Sequence, residues 1–320
     1  MAHRGRTVIR RRTLLAGTSA IAASAPIASP ARTSGRFGQL EAALREIEAA
    51  RGGRLGVAVL DSASGEAAGH RATERFPLTS TFKLLAAGAV LAQVDAGRMR
   101  LDDRIRYRRE EVVTYSPVTE RHAGADGMTV GQLCEATMTL SDNTAANLLL
   151  RGLGGPAGLT AWLRGIGDDV TRLDRWETAL NEARPGDPRD TTTPAAMLAT
   201  MQRLTLGDVL SPGSRAHLLA WLRANRTGGT RLRAGLPPRW QAGERTGTGP
   251  NGTSNDVGLV WPPSGAPLLV AAYLTEGAAD MATRDAALAD VGASVAAAWR
   301  DGRPWRSAAQ DRGSTLSGIL

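Results

Sequence analysis

Lys83 is the only lysine in a chain of 320 residues whose basic set numbers 39; every other member is arginine. A guanidinium stays protonated in a protein, whereas burial can bring a lysine amine into the range of a working base. A single exception to an all-arginine habit therefore marks a place where neutral-amine chemistry is wanted. Ser80 stands three residues earlier, one helical turn away on the same face. A Ser-x-x-Lys pair at a helix start supplies a hydroxyl nucleophile, an adjacent amine and backbone N–H groups aimed at a developing oxyanion. The pair also fits ordinary helix capping by a serine. A second element, Ser141-Asp142-Asn143, follows the apolar Met138-Thr139-Leu140 and precedes a helical pattern from Ala145 to Leu150; alone it reads equally as a Ser or Asx cap. A third, Arg245-Thr246-Gly247, closes an expected strand.

These residues need elements to hold them. Phe37 to Ala50 has the apolar spacing of an amphipathic helix, with Leu40, Leu44 and Ile47 on one face and Gly52-Gly53 as its stop. Leu55 to Leu60 reads as a strand, Ala67 to Arg75 as turn and polar residues, and the run from Ser80 to near Gly97 as a buried helix. From there to about Ala224 the pattern is mostly helical, interrupted by the charged, proline-bearing stretch Arg172 to Thr193, which predicts a long functional loop. Short runs at Trp240 to Thr246, Val257 to Trp261 and Pro267 to Tyr273 predict antiparallel strands, and Ala282 to Trp299 an Ala-rich closing helix. One strand near the start and three near the end imply that both ends of the chain build one sheet, with the helical middle inserted.

Composition narrows the class. Hydrophobic residues at 42% and one cysteine indicate a globular core and exclude a disulfide scaffold. The net charge of +8 suggests nucleic acid, but Arg4, Arg6, Arg10, Arg11 and Arg12 lie in the first 31 residues, which hold no acid. The other arginines are scattered among acids, so no nucleic-acid partner is expected. Arg11-Arg12-Thr13-Leu14-Leu15, followed by an Ala- and Ser-rich stretch, resembles a twin-arginine export signal, which implies a secreted or extracytoplasmic protein. That stretch is short and contains Pro26, so no permanent membrane anchor is expected. His3, His70, His122 and His217 show no zinc-site spacing, and neither metal nor cofactor is expected. Gly247-Thr248-Gly249-Pro250-Asn251-Gly252 fits a dinucleotide fingerprint by letters only; a strand pattern follows it, so it reads as a hairpin turn. Cys134 reads as a buried free thiol.

Together, in this order and spacing, the three motifs resemble those of the serine penicillin-recognising enzymes, whose third motif is usually Lys-Thr-Gly or Lys-Ser-Gly. Arg172-Leu173-Asp174-Arg175-Trp176-Glu177-Thr178-Ala179-Leu180-Asn181 resembles the omega loop of class A β-lactamases. The likeness runs from about Phe37 to Arg300. It implies an α+β fold: five antiparallel strands flanked by helices (residues 35–78 and 224–305), an all-helical domain (79–223) with the loop at 172–190, and an active-site cleft between them. Residues 1–31 would be the export signal and 306–320 a disordered tail. A monomer acting on a small β-lactam is implied.

The resemblance also implies roles. Ser80 attacks the lactam carbonyl, and the backbone N–H groups of Ser80 and Thr248 hold the oxyanion. Lys83, or Glu177 through a water, takes the hydroxyl proton. Ser141 passes a proton to the departing nitrogen, Asn143 binds the substrate's side-chain amide, and Glu177 with Asn181 holds the hydrolytic water. Tyr115 forms an aromatic wall, Arg175 and Asp190 a salt bridge closing the loop, and Arg245, Thr246, Gly247 and Thr248 the substrate-binding strand. Arg245 stands where most members have lysine, as in the carbenicillin-hydrolysing subgroup; the chain's general preference for arginine gives the same residue. Ser254 stands where many members have a second carboxylate-binding arginine, and Arg231 matches the position from which others supply it. The function implied is hydrolysis of penicillins, carbenicillin included, through a Ser80 acyl-enzyme. The rivals are a penicillin-binding D-alanyl-D-alanine peptidase or transpeptidase and a β-lactam sensor without turnover; Glu177 and its loop separate them.

Overall fold

The computed structural model describes Met1 and residues 39–299; the expected export segment and C-terminal tail lie outside the described residues. In chain order come α1 (Leu40–Arg51), β1 (Arg54–Asp61), β2 (Ala67–His70), β3 (Phe76–Pro77), α2 (Phe82–Asp95), β4 (Arg104–Ile105), β5 (Met128–Thr129), α3 (Val130–Leu140), α4 (Asn143–Gly152) and α5 (Gly155–Gly165). Then follow β6 (Thr191–Thr192), α6 (Pro194–Thr205), α7 (Pro212–Arg223), β7 (Gln241–Gly249), β8 (Thr253–Trp261), β9 (Leu268–Thr275) and α8 (Met281–Ala298).

The main sheet has the order β2-β1-β9-β8-β7, antiparallel throughout. Its fold class is α+β, as the sequence implied. Both faces are covered, and the strands show it by alternation. Leu268, Val270, Ala272 and Leu274 of β9 pack with Leu40, Leu44, Leu288, Val291 and Val295 of α1 and α8, whereas Leu269, Ala271 and Tyr273 join the core shared with the helical part. A fully buried leucine of this kind is worth about 1.5–3 kcal/mol.

Two sequence expectations are corrected. Ala67 to His70 is not a turn but the edge strand β2, paired with β1 through Val57↔His70 to Leu60↔Ala67. The region after α2 is not helical: between Asp95 and Val130 the chain forms 3-10 turns and the two-residue pair β4–β5. Its backbone is satisfied by local bonds such as Val130 N to Asp103 O at 2.9 Å and Gly124 N to Tyr107 O at 3.0 Å.

α2 positions the chemistry. Every residue from Phe82 to Leu91 is buried, so the helix is apolar on all sides and sits among other helices rather than on the surface. The sequence placed its start at Ser80, but Thr79–Thr81 is a 3-10 turn and the α-helix begins at Phe82.

Candidate active site

The turn before α2 is strained and tightly braced. Thr79 adopts a φ of 43°, unusual for a β-branched residue and tolerated only where its surroundings over-determine it. Asn255 of β8 provides that bracing, its Nδ2 donating to Pro77 O at 2.9 Å, Leu78 O at 3.2 Å and Thr79 Oγ1 at 3.0 Å. β7 passes so close that a Cβ on Gly247 would lie 2.1 Å from Thr79 Oγ1 and 3.2 Å from Ser80 N. Only glycine admits that approach, which accounts for the last residue of the third motif. It brings the strand carrying Thr248 against the backbone N–H of Ser80.

Ser80 does not cap α2. Its hydroxyl lies 3.5 Å from Glu177 Oε1, and the Ser141 hydroxyl donates to it at 3.2 Å. Lys83 projects from the first turn of α2 and is fully buried, with Nζ donating to Ser141 O at 2.8 Å and Asn143 Oδ1 at 2.5 Å, and 3.1 Å from Ser141 Oγ. It also pairs with Glu177 Oε1 at 3.0 Å. Lys83 is not among the hydrogen-bond partners recorded for Ser80 within the described residues. Burial, aided by the Arg245 cation, lowers the Lys83 amine to about 8 against the pull of Glu177.

The Ser141-Asp142-Asn143 turn satisfies both of its readings. Asp142 is the N-cap of α4, its carboxylate accepting from Ala145 N at 2.8 Å and also from Val118 N, Thr119 N and Thr119 Oγ1. With Asp142 so anchored and Ser141 left-handed at φ 62°, the flanking side chains face the site. Asn143 is held from both ends, accepting from Lys83 and donating to Thr114 O at 2.8 Å.

Arg245 is fully buried behind Ser141, to whose Oγ it donates at 2.5 Å. Burial lowers it to about 10. Arg231, also buried, pairs with Asp285 at 2.9 Å and donates to Gly247 O, Asn255 O and Thr248 Oγ1. Both guanidinium groups are thus tied to hydroxyls of the cleft, Arg245 to Ser141 and Arg231 to Thr248.

The loop from Arg172 to Thr193 holds Glu177. Arg175 Nε pairs with Asp190 Oδ2 at 2.6 Å, and Asp190 Oδ1 accepts from Asp174 N and Arg175 N, which closes the neck. Leu78 N to Asp190 O at 2.8 Å and β3 against β6 tie the neck to the strand leading into Ser80. Asn181 Nδ2 donates to Glu177 Oε2, while its buried Oδ1 has no partner among the described residues. Sequence reasoning missed the clamp on Glu177: Asn147 donates to Glu177 O at 2.9 Å and accepts from Glu177 N at 3.0 Å. Its one signal is its place one helical turn after Asn143 on the same face of α4. Sequence reasoning likewise missed Asn255 and Asp285, whose roles depend on contacts far apart in the chain.

Ser80, Tyr115, Ser141, Asn143, Asn181, Arg231, Thr246, Gly247 and Thr248 line one cleft of about 570 Å³, joined by Arg226, Thr227, Thr230, Met281 and Asp285. Tyr115, 59% exposed, forms part of one wall. Lys83, Glu177 and Arg245 lie behind this surface.

A buried acid pair supports the third motif from behind. Glu244 precedes Arg245, and Asp256 pairs in register with Thr246. Arg233 Nε is 3.0 Å from Glu244 Oε1 but without the alignment of a hydrogen bond. Burial pushes Glu244 up to about 7, and burial together with Glu244 pushes Asp256 well above the carboxylate range. An acid raised in the folded state contributes stability below its ordinary value of 4.5 and loses it as the pH rises through about 7. The unfolding free energy should therefore fall from pH 4.5 to about pH 7, and Glu244→Gln should flatten that fall in denaturant titrations. An unchanged slope would remove Glu244 as its source.

Comparison with known proteins agrees with this arrangement. The chain is 63% identical to an ancestral class A beta-lactamase (GNCA) over 80% of this chain and 98% of that one, with a TM-score of 0.79. It is also 63% identical to the class A beta-lactamase of the last common ancestor of Gram-negative bacteria (GNCA4), over 81% of this chain and 99% of that one, TM-score 0.80. PenP from Rhodopseudomonas palustris is 59% identical over 80% and 98%, TM-score 0.79. The model of the beta-lactamase enzyme family matches residues 39–299. By sequence, fold and the side chains gathered around Ser80, the chain belongs to the beta-lactamase enzyme family, is a class A member and is a hydrolase.

Proposed function

We propose that the protein hydrolyses the lactam amide of penicillins through an acyl-enzyme on Ser80. The observation that carries this reading is the meeting of Ser80, Ser141, Lys83 and Glu177 in one connected hydrogen-bond and ion-pair network at the cleft floor. Ser80 Oγ attacks the carbonyl carbon, and its proton goes to Glu177, the base it faces. The oxyanion forms against the N–H groups of Ser80 and Thr248. The carbon–nitrogen bond breaks as Ser141, polarised by Arg245, protonates the leaving nitrogen, and the proton held by Glu177 returns through Lys83 to Ser141, which leaves Glu177 an unprotonated base again. Glu177 and the unpartnered Oδ1 of Asn181 then hold a water; Glu177 takes its proton as the water attacks the ester carbon, and Ser80 leaves with its proton restored. Asn143 binds the side-chain amide, and Tyr115, Thr246 and Gly247 shape the groove.

Two further readings accompany this one, the first from the site and the second from the N-terminal sequence. Carbenicillin is included among the substrates because Arg245 stands in the third motif with its charge next to Ser141. Export of the mature enzyme is supported by the twin-arginine-like residues of the N-terminus, and among the described residues no helix is long and apolar enough to cross a membrane.

The test mixes the full chain with excess benzylpenicillin and follows lactam absorbance and intact mass together, then repeats this with carbenicillin for the protein and for Arg245→Lys. Rapid loss of absorbance with mostly unmodified protein is expected. A persistent stoichiometric mass increase would move the assignment to a penicillin-binding peptidase or sensor. Equal carbenicillin-to-benzylpenicillin ratios for the two proteins would make Arg245 a matter of composition rather than specificity.

A further inference from the structure

Among the described residues, one cation of the cleft has no acidic partner. Of the charged residues lining it, Arg231 and Asp285 are engaged with each other at 2.9 Å. Arg226 is exposed, and no ion pair or hydrogen bond is recorded for its side chain within the described residues. Its backbone, by contrast, is firmly mounted. Arg226 N donates to Thr139 O at 3.0 Å, two residues before Ser141, and the preceding Asn225 donates to Met138 O at 3.1 Å. The following Thr227 shares a hydrogen bond with the Thr246 hydroxyl. The turn is thus fastened to the second motif on one side and the third on the other, which displays the guanidinium at the mouth between them.

We propose that Arg226 is a specificity-determining residue that captures the carboxylate on the lactam's fused ring as the substrate enters. The inference rests on the β-lactamase reading above. With the substrate's side-chain amide at Asn143, its ring end would face Thr246, whose hydroxyl is bonded to Thr227, the residue that follows Arg226. Arg245 and Arg231 are buried, so the exposed guanidinium of Arg226 is the one an arriving anion meets first. A free cation at the mouth of a cleft attracts an anion from a distance and can grip a carboxylate bidentately on contact.

The experiment compares the full chain with Arg226→Gln and Arg226→Lys on benzylpenicillin across a range of salt concentrations. Arg226→Gln should raise KM about five-fold, the scale of one exposed ion pair, leave kcat little changed, and flatten the decline of kcat/KM with salt. Arg226→Lys should restore the salt dependence. Because the side chain is exposed, the thermal midpoint of each variant should match that of the parent. An Arg226→Gln protein with the parental KM and salt dependence overturns the inference alone. A parent that turns over no β-lactam overturns the proposed function, and this inference with it.

Discussion

Glu177→Gln should let the reaction run halfway and stop. In the variant Ser80, Ser141 and the oxyanion N–H groups are intact, so the lactam can still open, more slowly, with Lys83 acting through Ser141 as the base. The base that must take a proton from the hydrolytic water is gone, however, and its loss costs on the order of 10²–10⁴-fold. The expected result is a mass increase equal to one penicillin that persists for many turnover times of the parent. Burial sharpens the effect, because Glu177 is 5% exposed and neither Asn181 nor Lys83 offers a second carboxylate. Glutamine retains the volume and can keep a hydrogen bond to Asn181, so a folded variant is expected. Ready turnover by it would remove the loop from the mechanism.

Ser80→Ala should remove the reaction before that stage. Without Oγ there is no atom to form the acyl bond, and losing such a nucleophile costs on the order of 10⁶-fold where comparable enzymes lose it. No mass increase should form even at long times, whereas benzylpenicillin should still bind and raise the thermal midpoint. Together the two variants separate the half-reactions: one traps adduct and the other never makes it. An adduct on Ser80→Ala would place the nucleophile elsewhere.

The extent to which the site was legible follows from where its information lies. Ser80, Lys83, Ser141 and Arg245 were visible because each belongs to a short motif with a chemical reason for its spacing. The strands β1, β8 and β9 were visible through the short apolar runs Leu55–Leu60, Val257–Trp261 and Pro267–Tyr273, and the mostly polar β7 through the Gly, Pro and Asn turns that bound it. β2 was missed since Ala67–His70 is four residues of Ala, Gly and His, with no alternation to read, and becomes a strand only because β1 presents an edge to it. The stretch after α2 was misread as helical because its scattered apolar residues pack inward from turns. Asn255 and Asp285 carry no local signature, and Asn147 only its helical spacing from Asn143; each acts on a partner 30 or more positions away, as with Asn147 on Glu177 and Asn255 on Pro77.

The lone lysine has a practical consequence. With Lys83 sealed behind the cleft floor, the folded protein offers amine-reactive reagents no accessible side chain, only its α-amino terminus. Crosslinkers, acylating dyes and lysine-directed surface coupling will then report on the chain end alone, giving one defined point of attachment. Modification of Lys83 itself becomes a clock for opening of the helical core, in which each labelled molecule records a moment when α2 was exposed.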